Sequence, residues 1–340
     1  MLERPMTARQ ATLRDVAQLT GFHVSTVSRV LRGDAARISP ETIASVEAAA
    51  ADVGYRVNRW AASLRSGRTG IVGVLVPRIT DIVLATVFEA IQREAAGHGI
   101  QAVVNSTWDV IDDRNARIEN YRAERVDGLI VADARLVDPY LRGLYDEGFP
   151  LVLVSRGSRG LPSVTGDDRT GGALAAAHLV DRGCRRLAVL AGPSYATTAA
   201  HRSAGFRAEA ARRGVPVDTT FVVHSGFDVA GGRQGMTELL TRGRPDGVFA
   251  VNDFSAIGAM GVLRERGLAV GEDIAVVGYN DMPISAELSV PLSSVRVDLE
   301  QMGVAAFAAL NEVLGGRQAS STRLRPVLMP RASSGSTATS

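Results

Sequence analysis

From Ile71 onward, short uninterrupted apolar runs recur between longer mixed stretches: Ile71-Val72-Gly73-Val74-Leu75-Val76-Pro77, Ala102-Val103-Val104, Gly128-Leu129-Ile130-Val131 and Leu151-Val152-Leu153-Val154. The series resumes with Leu187-Ala188-Val189-Leu190, Phe221-Val222-Val223, Gly247-Val248-Phe249-Ala250-Val251 and Ile274-Ala275-Val276-Val277-Gly278. A strand that is apolar at every position is buried on both faces, as happens in a parallel sheet covered by helices on each side. Eight such runs with helical stretches between them therefore read as doubly wound α/β. They fall into two similar halves, about 70–163 and 164–292, with the chain returning later. In open α/β sheets ligands bind outside the carboxyl ends of the strands. The polar residues at those ends are Arg78 to Asp81, Asn105 to Asp109, Asp133, Arg156, Asn252-Asp253 and Asn280-Asp281.

The first seventy residues follow a different pattern. Thr12-Leu13-Arg14-Asp15 fits a capping box, and Leu13, Val16, Ala17 and Leu19 form the apolar face of a first helix that Gly21 ends. A second helix, about Val24 to Leu31, buries Val27, Val30 and Leu31 and lines up Ser25, Arg29 and Arg32 on another face. Ser39-Pro40-Glu41 starts a third, with Ile43, Val46, Ala50 and Val53 inward, ending near Gly54. Two helices across a glycine turn, closed by a third, is the layout in which the second helix enters the major groove. Arginine there can grip guanine bidentately, worth about 1–3 kcal/mol of discrimination.

Charge follows the same division. Residues 1–68 hold ten arginines against six acidic residues, a net +4, which leaves the remainder at −2 of the chain's +2. Nucleic acid therefore belongs at the amino-terminal end. The chain has no lysine, which excludes a Gly-x-x-x-x-Gly-Lys phosphate loop and any lysine Schiff base. There is no Gly-x-Ser-x-Gly elbow, no Gly-x-Gly-x-x-Gly after a strand, and the five histidines lack metal-ligand spacing, so no enzyme chemistry, cofactor or metal is expected. The single cysteine, Cys184, reads as structural. Without a signal-like stretch or a membrane-spanning apolar run, the expectation is a cytoplasmic protein with no membrane partner.

Several motifs together resemble the lactose-repressor/galactose-repressor family of bacterial transcription regulators. They are Thr12-Leu13-Arg14-Asp15-Val16-Ala17, Gly21, Thr26-Val27-Ser28-Arg29-Val30-Leu31, Ile38-Ser39-Pro40-Glu41-Thr42 and Gly54-Tyr55-Arg56-Val57-Asn58, with the likeness continuing to about residue 330. The resemblance implies base reading by Val24, Ser25 and Arg29, although Val24 also falls near the buried face of its helix. It implies a DNA-contacting set of Thr12, His23, Val24, Ser25, Thr26, Ser28, Arg29, Arg32 and Tyr55. It further implies a hinge over 58–68 that folds on the operator, with Asn58, Ala61 and Leu64 at the DNA and Leu64 wedged in the minor groove. Two departures mark this region: Phe22-His23 replaces the usual small aliphatic and serine, removing the expected hydroxyl cap, and Arg32 stands where asparagine is common.

For the large domain the resemblance implies effector contacts at Asp168, Arg202, Phe227, Asn252 and Asn280. Strand-end position adds Asp81, Arg156, Asp253 and Trp108, the last as a stacking platform or a packing residue. Asp253 is equally a candidate helix cap. Carboxylates, amides and a guanidinium suit vicinal hydroxyls, and an aromatic face suits the apolar side of a sugar ring. Asp81-Ile82-Val83-Leu84 replaces the common Asn-Pro-aromatic-aromatic run, Asn280 stands where the best-known member has aspartate, and Leu299 lies where an aromatic is sometimes found. These changes disfavour a purine.

The expected organisation is a helix-turn-helix domain over 1–57, the hinge over 58–68, a periplasmic-binding-protein-like sensor over 69–330 and a disordered tail over 331–340. Within the sensor, lobe 1 is expected at about 70–163 and 293–320, and lobe 2 at about 164–292 and 321–330. Helix 298–314 is a candidate for either dimer face or core. The expected function is a repressor of palindromic operator DNA, homodimeric or higher, controlled by a sugar-like effector. A stand-alone sugar-binding protein of the transport kind is the alternative.

Overall fold

The computed structural model describes residues 11–31, 38–55 and 68–335. The chain divides into two compact units, Met1–Thr69 and Gly70–Ser340.

The first unit holds α1 (Leu13–Thr20), α2 (Val24–Val30) and α3 (Pro40–Asp52). Thr12 caps α1 through a reciprocal box: its backbone N–H donates to Asp15 Oδ2 at 2.7 Å, while Asp15 N–H donates to Thr12 Oγ1 at 3.4 Å. Gly21 takes φ +71° and its N–H closes on Ala17 O at 2.9 Å, a left-handed stop that glycine adopts without strain. Val16, Ala17, Val27, Val30, Val46 and Ala50 form the core, with Leu13, Ile43 and Val53 packed at its edge. Leu19, expected on the buried face, is 61% exposed, because the turn that Gly21 ends carries it round to solvent.

The second unit contains two six-stranded sheets. Sheet 1 runs β11-β5-β4-β3-β1-β2, all parallel: β1 (Ile71–Val76), β2 (Gln101–Ser106), β3 (Gly128–Val131), β4 (Leu151–Val154), β5 (Ser163–Gly166) and β11 (Thr322–Leu324). Sheet 2 runs β12-β10-β9-β8-β6-β7: β6 (Leu187–Leu190), β7 (Val222–Val223), β8 (Gly247–Ala250), β9 (Ala275–Asn280), β10 (Ser293–Arg296) and β12 (Val327–Met329), the last antiparallel to β10. The connecting helices are α4 (Ile82–Gly97), α5 (Ile111–Ala123), α6 (Pro139–Asp146), α7 (Asp168–Asp181), α8 (Thr197–Arg212), α9 (Val229–Arg242), α10 (Asp253–Glu265), a single turn α11 (Pro283–Ala286) and α12 (Leu299–Leu314).

Both sheets are buried on two faces by the same device. In β1, Val72, Val74 and Val76 enter one apolar cluster while Leu75 enters another; in β6, Leu187 and Val189 oppose Ala188 and Leu190 in the same way. The eight expected apolar runs each lie on a strand, and four more strands, β5, β10, β11 and β12, join them.

Those extra strands move the lobe boundaries. β5 pairs with β4, so lobe 1 extends to Gly166 rather than 163. β10 pairs with β9, so 293–296 belongs to lobe 2 rather than lobe 1. β11 pairs with β5, placing 322–324 in lobe 1 rather than lobe 2. The intervening α12 packs its Met302, Ala306, Phe307 and Leu310 into the core, with Gly303 seated against the backbone of α4. Residues 332–334, expected to be part of a loose tail, form a 3-10 turn whose Ser333 and Ser334 are buried. Ser333 Oγ accepts from Ser293 N–H at 2.8 Å and donates to Val276 O at 2.6 Å, which ties the segment to sheet 2.

Cys184 is buried beside Asp246, and desolvation pushes its thiol up to about 11, so it stays protonated and unreactive.

Candidate functional site

On the helical unit, α2 presents the expected reading face. Ser25 is exposed and Arg29 half-buried, while Val24 is half-buried and packs against the helical core. His23 restores the cap that the sequence appeared to lack: its Nδ1 accepts the Ser25 backbone N–H at 3.3 Å and lies 2.8 Å from Ser25 Oγ. An imidazole nitrogen thus replaces a hydroxyl oxygen in the same role. Thr26 is half-buried, and Thr12 turns its hydroxyl onto Asp15 Oδ2 at 2.8 Å. Ser28 is 6% exposed, beside the fully buried Val27. Tyr55 packs at the edge of the core. Arg32, Asn58, Ala61 and Leu64 lie outside the described residues.

In the larger unit a cleft of about 560 Å³ opens at the carboxyl ends of the strands. Asp81, Trp108, Arg156, Arg202, Phe227, Asn252 and Asn280 all line it. β1, β2 and β4 deliver Asp81, Trp108 and Arg156 from one lobe, while α8, β8 and β9 deliver Arg202, Asn252 and Asn280 from the other.

Asn252, Arg202, Asp81 and Arg156 are each held by a neighbour. Asn252 caps α10, its Oδ1 accepting Ser255 N–H at 2.8 Å while its Nδ2 donates to Phe227 O at 2.6 Å, so one side chain fixes both itself and the aromatic loop. Arg202 donates through Nε to Asp168 Oδ1 at 2.8 Å and through Nη1 to Val251 O at 2.8 Å, with its guanidinium 3.6 Å from the Tyr279 ring centroid. Asp81 caps α4 by accepting Val83 N–H at 3.0 Å, and desolvation raises its carboxyl above the ordinary range. Asn280 has φ +104°, and Trp108 and Asp109 have φ +56° and +60°. Non-glycine residues pay for such backbones, and they recur where side chains must be aimed at a ligand.

Two expected contacts are not in the cleft lining. Asp168 is 4% exposed and faces Arg202 from the first turn of α7, where it orients that guanidinium. Asp253 is fully buried and does not cap α10, since Asn252 does. Its Oδ2 accepts from Met282 N–H at 2.8 Å and Ser285 Oγ at 3.0 Å, and its Oδ1 from Ser294 Oγ at 2.6 Å. It therefore pins β9, α11 and β10 together. Desolvation, only partly offset by those donors, pushes its carboxyl up to about 6.

A cluster at the mouth of the cleft was only partly anticipated. Arg156 forks onto Asp109, Nη1 to Oδ1 at 2.7 Å and Nη2 to Oδ2 at 3.0 Å. Tyr195, from the lobe opposite, donates to Asp109 Oδ2 at 2.9 Å and is covered by the Arg135 guanidinium 3.5 Å from its ring centroid. Burial alone would raise the Asp109 carboxyl, but Arg156 and Tyr195 outweigh it and hold the group below the usual range. Gly157 N–H also reaches across the lobes to Thr197 Oγ1 at 3.1 Å. Tyr195 follows β6 as Asp109 follows β2, so strand-end position was the available signal for both. Asp133, another strand-end residue, is buried and accepts from the Thr107 hydroxyl without lining the cleft.

Among the described residues, no group of three or more His, Cys, Asp or Glu could hold a metal ion, and no helix is long and apolar enough to cross a membrane.

Residues 12–58 match the bacterial regulatory proteins of the lacI family, and residues 176–334 match the periplasmic binding protein-like domain. The ribose operon repressor of Escherichia coli (strain K12) is 31% identical over 330 residues, covering 95% of this chain and 99% of the repressor. A crystal structure of the lac repressor dimer bound to operator and the anti-inducer ONPF aligns with a TM-score of 0.86 at 28% identity, covering 96% of this chain and 100% of that one. A complex of the transcriptional regulator CelR with cellobiose aligns with a TM-score of 0.73 at 30% identity, covering 95% and 100%.

Proposed function

Because the chain belongs to the lacI family of bacterial regulatory proteins, we propose that it is a cytoplasmic, homodimeric repressor of a palindromic operator whose DNA affinity is set by a neutral, hydroxyl-rich small molecule in the inter-lobe cleft. The observation that carries the effector half is the cleft itself. Arg202, Asn252 and Asn280 present fixed donors and acceptors beside the faces of Phe227 and Trp108, within about 560 Å³. Pockets of this size with a few convergent polar groups hold one small ligand, and aromatic faces beside amides match a sugar ring. Two similar proteins fit this reading: one is named for the ribose operon and one was solved with cellobiose.

The DNA half rests on α2. Ser25 and Arg29 are the base-reading residues, and His23 sets the helix start that aims them. A single helix-turn-helix makes few base contacts, so two copies on a two-fold site are required. Effector binding alters the angle between the lobes and is coupled reciprocally to operator affinity.

The test is a thermal-shift screen of the full-length protein against neutral pentoses, hexoses, disaccharides and nucleosides, followed by operator binding with and without each hit. A ligand at about one hundred times its Kd adds about 2.7 kcal/mol. A sugar that stabilises the protein and changes operator affinity supports the reading; stabilisation by nucleosides alone sinks the sugar assignment. Selection from random DNA that returns no enriched palindrome removes the DNA half.

A further inference from the structure

A second cavity, of about 810 Å³, lies where the chain crosses between the lobes, and it shares no lining residue with the effector cleft. Its wall includes one crossing segment, Gly166–Asp168, which leads from β5 of lobe 1 into α7 of lobe 2, and the 319–323 stretch of lobe 1, which leads from α12 into β11 just before the chain returns to lobe 2 at β12.

Its charge is unbalanced. Arg159 and Arg323 come from lobe 1 and Arg169 from the first turn of α7 in lobe 2, and all three are exposed at the cavity. None of the three has a carboxylate within ion-pair distance among the described residues, whereas many arginines elsewhere are paired, as Arg142 is with Asp146 and Arg233 with Glu265. Of the two acidic groups in the wall, Asp168 is already neutralised by Arg202. Asp167 remains, accepting from Thr170 N–H at 3.2 Å and Thr170 Oγ1 at 2.7 Å. Three guanidiniums against one carboxylate leave an excess of two positive charges. His201, half-buried in the same wall, is kept neutral by desolvation and by Arg169 and Arg323, against the pull of Asp168. Leu136 and Val137, 47% and 72% exposed, supply an apolar border.

We infer that this cavity is a second ligand site, for the dianionic phosphate group of a small phosphorylated molecule. Two excess charges match a phosphate dianion, and planar guanidiniums bind its oxygens as forks. Because Arg169 and Arg323 stand on opposite lobes beside the crossing strands, one phosphate held by both joins the lobes. The site therefore acts on the same inter-lobe angle as the proposed effector cleft, from outside it, and lets the protein register a phosphorylated molecule separately from a neutral one.

The experiment is calorimetric titration of the full-length protein with inorganic phosphate, against chloride at matched ionic strength. Saturable binding at roughly millimolar Kd is expected for so small a probe. In Arg169→Gln/Arg323→Gln it weakens about tenfold or more, and both substitutions are on exposed side chains that the fold does not need. The Phe227→Ala protein, altered only in the effector cleft, keeps phosphate affinity. No saturable heat with the unaltered protein overturns the inference, and so does phosphate binding that survives the double substitution. Loss of binding in Phe227→Ala instead places phosphate in the effector cleft, with the same consequence. The neutral-sugar reading is tested by a different titration and can fail independently.

Discussion

Replacing Arg202 by methionine isolates what the buried ion pair does. Methionine keeps most of the aliphatic stem but removes the donors to Asp168 and Val251 and the stack on Tyr279. Asp168 is left 4% exposed without its cation. Desolvation already lifts its carboxyl above the ordinary range, with Arg202 the largest opposing influence. Without that opposition desolvation drives the folded carboxyl further towards its protonated form, whereas the unfolded chain releases the proton near pH 3.9. Complete protonation on folding sets the upper limit of the cost, about 4 kcal/mol at about pH 7 and about 1.5 kcal/mol at about pH 5. The sign follows: the folded state of the variant binds more protons, so its stability falls as pH rises from about 4 towards the raised folded value. A loss of about 4 kcal/mol matches the range of about 3–5 kcal/mol for breaking a buried pair. With a urea slope of about 3 kcal/mol/M, it lowers the midpoint by about 1.3 M. Urea unfolding followed by far-ultraviolet circular dichroism at several pH values measures it. Asp168→Asn/Arg202→Met removes the titrating group and should flatten the pH dependence. A variant destabilised equally at pH 5 and pH 7 would falsify the account, because the loss would then be packing alone.

Asp253 gives a second pH signature. Its folded value is raised to about 6 by burial, so its contribution to stability is greatest below the unfolded value and declines as pH rises through about 6, by roughly 3 kcal/mol in all. Asp253→Asn should lack that decline; parallel pH profiles for variant and parent would show that the carboxyl does not titrate there. The α7–α8 contact offers a steric test. A Cβ on Gly205 would lie 2.0 Å from Arg169 O, and one on Gly172 would lie 2.0 Å from Arg202 O. Gly205→Ala must therefore push the helices apart, costing about 1–3 kcal/mol or more and lowering Tm by about 2–4 °C for each kcal/mol. An unchanged Tm would mean the helices separate without resistance.

The strands that were legible in the sequence are those whose burial on two faces made them apolar throughout, such as Leu151–Val154. The four that were not are short, three or four residues each, and β5, β10 and β11 carry polar side chains. Ser293 and Ser294 in β10 are fully buried, yet they read as loop because their hydroxyls are satisfied by Ser334, Asp253 and the Arg331 carbonyl, all distant in sequence. β5 and β11 are the edge pair of sheet 1, where polar residues are tolerated. The lobe boundaries were misplaced for that reason. The cleft lining was largely visible because strand ends can be located from apolar runs. What position could not reveal was partnership: that Asp168 faces Arg202 across two helices, or that Asp253 reaches β10 instead of capping its own helix. His23 misled differently, since capping depends on an acceptor atom at the right place and a ring nitrogen supplies one as an oxygen does.

Partnership also bears on what each cavity can take. In the effector cleft, Arg156 is forked onto Asp109, and Arg202 is bound to Asp168, so the two buried guanidiniums arrive with their charges matched. A ligand charge paired with either of these guanidiniums would have to break its ion pair and leave a carboxylate buried beside it, at a cost of several kcal/mol; the remaining arginine of the lining, Arg78, is exposed to solvent. A hydroxyl group need not. It can accept a remaining guanidinium N–H and donate to Asp109 or Asn252 with both pairs kept, and it brings no charge of its own to desolvate. The cavity at the lobe crossings is arranged the other way, with guanidiniums exposed and unmatched. Neutral polyol in the cleft and anion at the crossings is the assignment that keeps both buried ion pairs and matches the exposed guanidiniums, and exchanging the two ligands would forgo both gains.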